Sequence, residues 1–200
     1  MCQLLESIQI CQRIPQNIEF HNLRFNKSRK ELFGISQTLD LQEVIKIPDS
    51  LGTQTYKCRI LYEKQIKRID FEEYTPKKIR FLKIVESNID YAYKFADRSE
   101  LNKLLSENLE NPKESDLILV KNNKITDSTF SNLAFFDGKN WFTPNFPLLE
   151  GTHRAKLIQE KKIIPINIFV KDLHFFEKIA LINALRPLEN TEYFTLDKVI

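Results

Sequence analysis

Glycine is scarce in this chain: four occur in 200 residues, and none falls in a GxGxxG or GxxxxGK pattern. That excludes the glycine-rich loops that cradle phosphates in the commonest nucleotide-binding folds. The three cysteines (Cys2, Cys11 and Cys58) are odd in number and lack CxxC spacing. They read as reduced thiols with no metal-ligand pattern, which points to the cytoplasm. No apolar run is long enough to span a bilayer and no signal peptide is recognisable, so no membrane partner is expected. An excess of one charge is missing too, with 30 Lys+Arg against 27 Asp+Glu. The densest basic run, "NKSRK" (26–30), is short, and no basic stripe with interleaved aromatics follows it. A nucleic-acid surface is therefore not expected.

What is present suits a globular core, with 42% hydrophobic and 28% charged residues. Two hundred residues make one good-sized domain or two small ones. "LLESIQI" (4–10) alternates as a strand, and "HNLRFNKSRKELFG" (21–34) reads as a helix closed by Gly34. Strands are expected at 56–63 and 67–74. A capping-box-like start at Asp97 and Glu100 leads into a helix carrying Leu101, Leu104, Leu105 and Leu109. Beyond it the pattern turns to β-structure. Hairpins are expected at 116–127, turned at Asn122-Asn123, and at 135–142, turned at Asp137-Gly138. A strand over 162–170, an N-cap at Asp172 and a buried strand "IALINAL" (179–185) complete an α+β set.

One lysine stands apart from the solvated ones. In "YAYKFADR" (91–98), Lys94 has Tyr91, Tyr93 and Phe95 around it, just ahead of the helix. Apolar neighbours disfavour the ammonium form, which is one route to a nucleophilic amine. A lysine at a helix entrance is usually a surface residue, and the residues alone favour that reading over a catalytic one.

A longer pattern bears on the choice. "ITDSTFSNLAFF" (125–136) followed by "WFTPNFPLLEGTHR" (141–154) resembles the signature of the class IV aminotransferases, the fold type IV pyridoxal-phosphate enzymes. "LLESIQI" resembles that family's early Phe-Glu-x-Ile strand, "HNLRF" (21–25) its His-x-x-Arg-Leu helix, "YKFADR" its Schiff-base lysine segment, and "LINALRP" (181–187) its last substrate-facing loop. The Lys94-x-x-x-Arg98 spacing and the "INAL" run are most similar to the aminodeoxychorismate lyase branch.

The resemblance implies a fold and a set of roles. The fold would have a small α/β N-terminal domain (1–66) and a β-rich pseudo-barrel domain (67–200) carrying Lys94 and the phosphate site, as in D-amino acid aminotransferase. Lys94 would carry the pyridoxal 5'-phosphate and shuttle protons. Asp127 would keep the pyridine nitrogen protonated. The helix start at Thr152 and His153, together with Arg24, would bind the phosphate. Asn132 would contact the cofactor, and Arg98, Arg154, Asn183 and Ala184 the substrate, with Arg154 alternatively bracing its turn. The activity implied is 4-amino-4-deoxychorismate lyase of the folate pathway, releasing pyruvate to give 4-aminobenzoate. Transamination of branched-chain or D-amino acids, or a non-catalytic relative, is the alternative. A homodimer is expected, because Phe135, Phe136 and Trp141 would need cover.

The sequence departs from the family pattern in three places. It begins almost at the Phe-Glu-x-Ile strand, so a chain without the family's opening strand pair is expected. Leu5 replaces the phenylalanine. Asp127 replaces the usual glutamate, a reach shorter by about 1.5 Å.

Overall fold

The computed structural model describes residues 2–200, which divide into two compact units. The first comprises residues up to Thr75 together with Tyr93–Asp97. Its elements are β1 (Leu4–Cys11), β2 (Ile14–Pro15), α1 (Ile18–Phe33), α2 (Leu41–Val44), β3 (Tyr56–Tyr62) and β4 (Ile66–Glu73). The strands form an antiparallel sheet in the order β2-β1-β3-β4. Strict alternation on β1 and β3 turns one face of each inward. Leu4, Ile8, Ile10, Cys58, Ile60 and Tyr62 from that face pack with Phe25 of α1 and Leu41 of α2. Helix α1 ends where expected. Gly34 adopts φ 69°, and the Ile35 N–H reaches back to the Arg29 carbonyl at 3.1 Å, closing the last turn.

The division between units falls after Thr75 and not at 66, because β4 extends the first sheet as far as Glu73. Residues 93–97 join the same unit by pairing with β1. The Leu5 N–H donates to the Lys94 carbonyl at 2.9 Å, and the Ala96 N–H donates to Gln3 at 2.8 Å. Lys94 therefore belongs to the first unit and not to the β-rich one.

The second unit contains β5 (Phe81–Glu86), α3 (Ser99–Asn108), β6 (Ser115–Lys121), β7 (Lys124–Ser128), β8 (Asn132–Phe136), β9 (Trp141–Pro144), α4 (Thr152–Gln159), β10 (Ile164–Ile166), β11 (Lys178–Ile182) and β12 (Tyr193–Phe194). Its main path runs β10-β9-β8-β7-β6-β5, with β11 on β8 and β12 on β11. Parallel pairs at β5-β6 and β9-β10 flank antiparallel ones, giving a mixed sheet that encloses Leu82, Ile118, Leu133, Phe135, Ile179 and Leu181. The β6-β7 hairpin turns as expected on Asn122 and Asn123, at φ 52° and 62°.

Four expectations change. Helix α3 starts at Ser99 with Arg98 at the cap position, so Asp97 does not open a capping box. The strand expected over 162–170 shrinks to β10, an edge strand containing Pro165, which has no N–H to give a ladder. A short 3-10 turn, Val170–Phe175, follows it, and there Asp172 accepts from the Phe169 N–H at 3.0 Å from inside the turn, not from its cap. Phe135 is fully buried in the core, so it needs no cover from a partner. Among the described residues no helix is long and apolar enough to cross a membrane.

Candidate active site

In the first unit the inward face of β1 carries one acid, Glu6, between Leu4 and Ile8. A carboxylate at that depth requires partners. Helix α1 supplies two on one face, three residues apart. His21 Nδ1 lies 2.6 Å from Glu6 Oε2, and Arg24 adds a fork, Nε to Oε1 at 2.9 Å and Nη2 to Oε2 at 2.6 Å. Burial alone would raise the Glu6 pKa, but the Arg24 charge and the His21 and Arg24 hydrogen bonds outweigh it and hold the carboxyl at about 2. An ionised carboxylate only accepts, so His21 carries its proton on Nδ1. Burial lowers the His21 pKa, opposed by Glu6 and reinforced by the Arg24 and Lys94 charges. Lys94 is thus an electrostatic neighbour of this buried cluster. Its flanking rings, Tyr93 and Phe95, meet edge to face with centroids 6.1 Å apart and pack on the core of the unit. Glu6 was not singled out from sequence as a site residue, yet its inward parity on an otherwise apolar face was readable.

In the second unit Asp127 on β7 pairs with Asn132 on β8. The Asn132 amide donates to Asp127 Oδ1 at 2.7 Å and to the Leu149 carbonyl at 2.9 Å. The Leu149 N–H donates to Asp127 Oδ2, also at 2.9 Å. This clamp fixes the chain entering α4. Gly151 sits at the helix cap in close contact with Asn132, whose Cγ would lie 3.0 Å from any added Cβ. Burial pushes the Asp127 pKa up to about 6, against the Leu149 and Asn132 hydrogen bonds and the Arg154 charge.

The remaining candidates of the second unit have partners of their own. Arg154 is buried and turned into the scaffold, with Nε on Thr143 Oγ1 at 3.2 Å and Nη2 on the Pro144 carbonyl at 2.7 Å. His153 is buried as well. Its Nε2 accepts from the Leu188 N–H at 3.2 Å, and burial lowers its pKa to about 4. The Asn183 amide donates to Ser131 Oγ at 2.8 Å, and Ala184 lies in the turn closed by Asn183 and Arg186. Arg98 donates to the Thr129 carbonyl at 2.8 Å. The second unit therefore brings together Asp127, Asn132, Thr152, His153, Arg154, Asn183, Ala184 and Arg98. Lys94 and Arg24 reside in the first unit.

The donor set fits a phosphorylated pyridine cofactor. Helix α4 begins at a glycine without a side-chain cap, and the first N–H groups of a helix have no intrahelical carbonyl, so its start suits an anion. Asp127 offers a buried carboxyl to a cationic ring N–H. Its oxygens accept from Asn132 and Leu149, and a carboxylate has capacity for further donors.

Comparison with known proteins agrees with this arrangement. Residues 3–189 match the family model for amino-transferase class IV. An uncharacterized protein of Haemophilus influenzae is 37% identical over 191 residues, covering 94% of this chain and all of the relative. The crystal structure of a proposed 4-amino-4-deoxychorismate lyase from Haemophilus somnus superposes with TM-score 0.82 at 35% identity, over 94% of this chain and 98% of that one. A hypothetical aminotransferase of Mycobacterium tuberculosis in its PLP-bound form shares the fold, with TM-score 0.72 at 14% identity over 92% of this chain and 78% of that one. The chain belongs to the class IV aminotransferases and is a pyridoxal-phosphate-dependent enzyme of fold type IV.

Proposed function

We propose that this enzyme is a 4-amino-4-deoxychorismate lyase, releasing pyruvate and 4-aminobenzoate in the folate pathway of the cytoplasm. The observation that carries the reading is the likeness to the Haemophilus somnus protein along almost the full length of both chains.

The cofactor supplies an electron sink for the carbon bearing the substrate nitrogen. The chain's own residues do the rest. Lys94 would hold the cofactor through Nζ and would serve as the proton carrier, taking a proton from that ring carbon and giving one to the methylene of the enolpyruvyl group as its bond from oxygen to the ring breaks. Asp127 accepts a hydrogen bond from the ring nitrogen and keeps it protonated. A carboxyl held near 6 by burial is more basic than a solvated one, and so holds that proton more firmly. Thr152 and His153 bind the phosphate through backbone N–H groups, and Arg24 supplies the balancing charge, its plane set by Glu6. Asn132 keeps Asp127 and the start of α4 in register. Arg98 and the Asn183–Ala184 turn receive the substrate. Arg154 braces the end of β9, a role that its bonds to Thr143 and Pro144 favour over substrate contact.

The same scaffold can run a transamination, and the two reactions separate by their co-substrate. Purified PLP-loaded protein given 4-amino-4-deoxychorismate should release pyruvate and 4-aminobenzoate in equal amounts without any keto acid. Turnover that requires a 2-oxo acid acceptor would replace the lyase by a transaminase. We also propose a homodimer, to be checked by sedimentation at micromolar concentration.

A further inference from the structure

The turn between β7 and β8 carries Phe130, and cations gather around it. The Arg186 guanidinium carbon lies 5.9 Å from the centre of the Phe130 ring, and Lys77 Nζ lies 5.6 Å from it. Both distances are within cation–π range. Arg98 joins them through its bond to the Thr129 carbonyl, one residue away.

Each of the three cations gives one hydrogen bond, and each bond ends on a peptide carbonyl. Lys77 reaches Pro112 at 2.7 Å, Arg98 reaches Thr129 at 2.8 Å, and Arg186 reaches the carbonyl of Lys77 at 2.7 Å. A carbonyl orients a donor without neutralising it. Among the described residues no carboxylate lies within 4.0 Å of any of the three. Arg186 is nevertheless only 6% exposed, and a buried, unanswered guanidinium is unfavourable.

The acid nearest in effect is Asp116, which is fully buried. Its Oδ1 accepts from Thr129 Oγ1 at 2.5 Å, while Oδ2 is the one buried side-chain atom among the described residues without a hydrogen-bond partner. Burial raises its pKa, so it is a poor counter-ion. Burial lowers the Lys77 pKa; Asp116 opposes that, and the Arg98 and Arg186 charges add to it. The four groups therefore sense one another, and the balance among them is positive.

The location gives this charge a use. Asp127 and Asn132 flank the turn, and Asn183 ties it down through Ser131 Oγ at 2.8 Å. Phe130 is three residues from Asp127, a separation of at most roughly 11 Å along the chain.

We propose that Lys77, Arg98 and Arg186 form a carboxylate-binding subsite beside the Phe130 ring, which takes a planar, ring-borne carboxylate of the substrate. The inference rests on the reading of Asp127 as the cofactor-facing acid, and it adds Lys77 and Arg186 to the residues that select the substrate. A substrate with a single α-carboxylate, as a simple amino acid has, would not call for three cations at this distance. Guanidinium groups suit the flat fork of a carboxylate, and the ring face suits a flat ligand.

The test is calorimetric titration of the PLP-loaded protein with benzoate and with its neutral analogue benzamide. Benzoate should bind about tenfold or more tightly than benzamide, the ratio expected when one charge-assisted contact is lost. Lys77→Gln and Arg186→Gln should each weaken benzoate about five- to tenfold while leaving benzamide and the cofactor absorbance unchanged. Lys77 is an exposed loop residue, so Lys77→Gln decides the matter should the buried Arg186 variant fail to fold. The proposal is overturned if benzoate does not bind, if benzamide binds equally well, or if Lys77→Gln binds benzoate like the wild type. Pyruvate release reports on the lyase reading separately. Intact benzoate selectivity without pyruvate release would sink that reading and leave the subsite standing, and the converse result would do the opposite.

Discussion

Gly151→Ala tests how the entrance to α4 is built. Gly151 has φ −70° and ψ 140°, a conformation alanine adopts freely, so backbone strain plays no part. The added methyl would instead collide with the Asn132 amide, lying 3.0 Å from Cγ and far inside contact with Oδ1. Asn132 is 5% exposed and cannot swing into water without breaking both of its bonds, to Asp127 and to the Leu149 carbonyl. Losing one charged hydrogen bond (about 1.5–3 kcal/mol) and one neutral one (about 0.5–1.5 kcal/mol) sums to roughly 2–4.5 kcal/mol. At about 2–4 °C per kcal/mol for a chain of this size, the melting temperature should fall by roughly 4–18 °C. The same displacement loosens Asp127 and the start of α4, so PLP affinity should fall with stability. The decisive control is the cycle with Asn132→Ala: where the amide is already gone, Gly151→Ala should have little further effect. A variant that melts and binds PLP like the wild type, or equal losses in both backgrounds, would refute this account of the contact.

Three other perturbations address separate parts of the site. His153 accepts from Leu188 only as the neutral ring, and burial takes its pKa from 6.5 down to about 4. Its share of stability, roughly 3 kcal/mol, is therefore full above pH 6.5 and is lost as the pH falls toward 4. Asp127, raised to about 6, works with the opposite sign over nearly the same range, so the comparison must be His153→Gln against wild type in cofactor-free protein. His153→Gln should remove the acid-side loss, and unfolding titrations with identical pH slopes would contradict it. Arg24→Ala strands Glu6, and should lower stability by about 3–5 kcal/mol and cofactor affinity by about 2–3 kcal/mol, with Glu6→Gln recovering part of the stability. An unchanged PLP titration would remove Arg24 from the phosphate site. Asp127→Glu restores the residue usual in the family, but both Asp127 oxygens already meet their donors at 2.7 and 2.9 Å. The longer side chain should therefore lower cofactor affinity and turnover, and a gain in activity would show that the aspartate is a degenerate substitute.

Local chemistry and motif order were legible in the sequence. Gly34 ends α1 and Asn122-Asn123 turn the β6-β7 hairpin because positive φ at those positions narrows the choice of residue. The five-residue step from Asp127 to Asn132 and the glycine before Thr152 marked the second unit's candidate site, and those residues do meet in the fold. What escaped depends on partners distant in sequence. Glu6 meets residues 15 and 18 positions away, and Arg186 reaches Lys77 across 109. The pairing of residues 93–97 with β1, which moves Lys94 into the first unit, leaves no local trace because a backbone ladder is indifferent to side-chain identity. Asp97 looked like a cap by spacing alone, but the helix took its first turn one residue later.

The account depends most on Lys94. Borohydride reduction of the PLP-loaded protein, followed by peptide mass mapping, should place one pyridoxyl-phosphate adduct on the peptide containing Lys94, and Lys94→Ala should lose both the adduct and the visible absorbance while staying folded. An adduct on another lysine, or retention of the absorbance in Lys94→Ala, would contradict it.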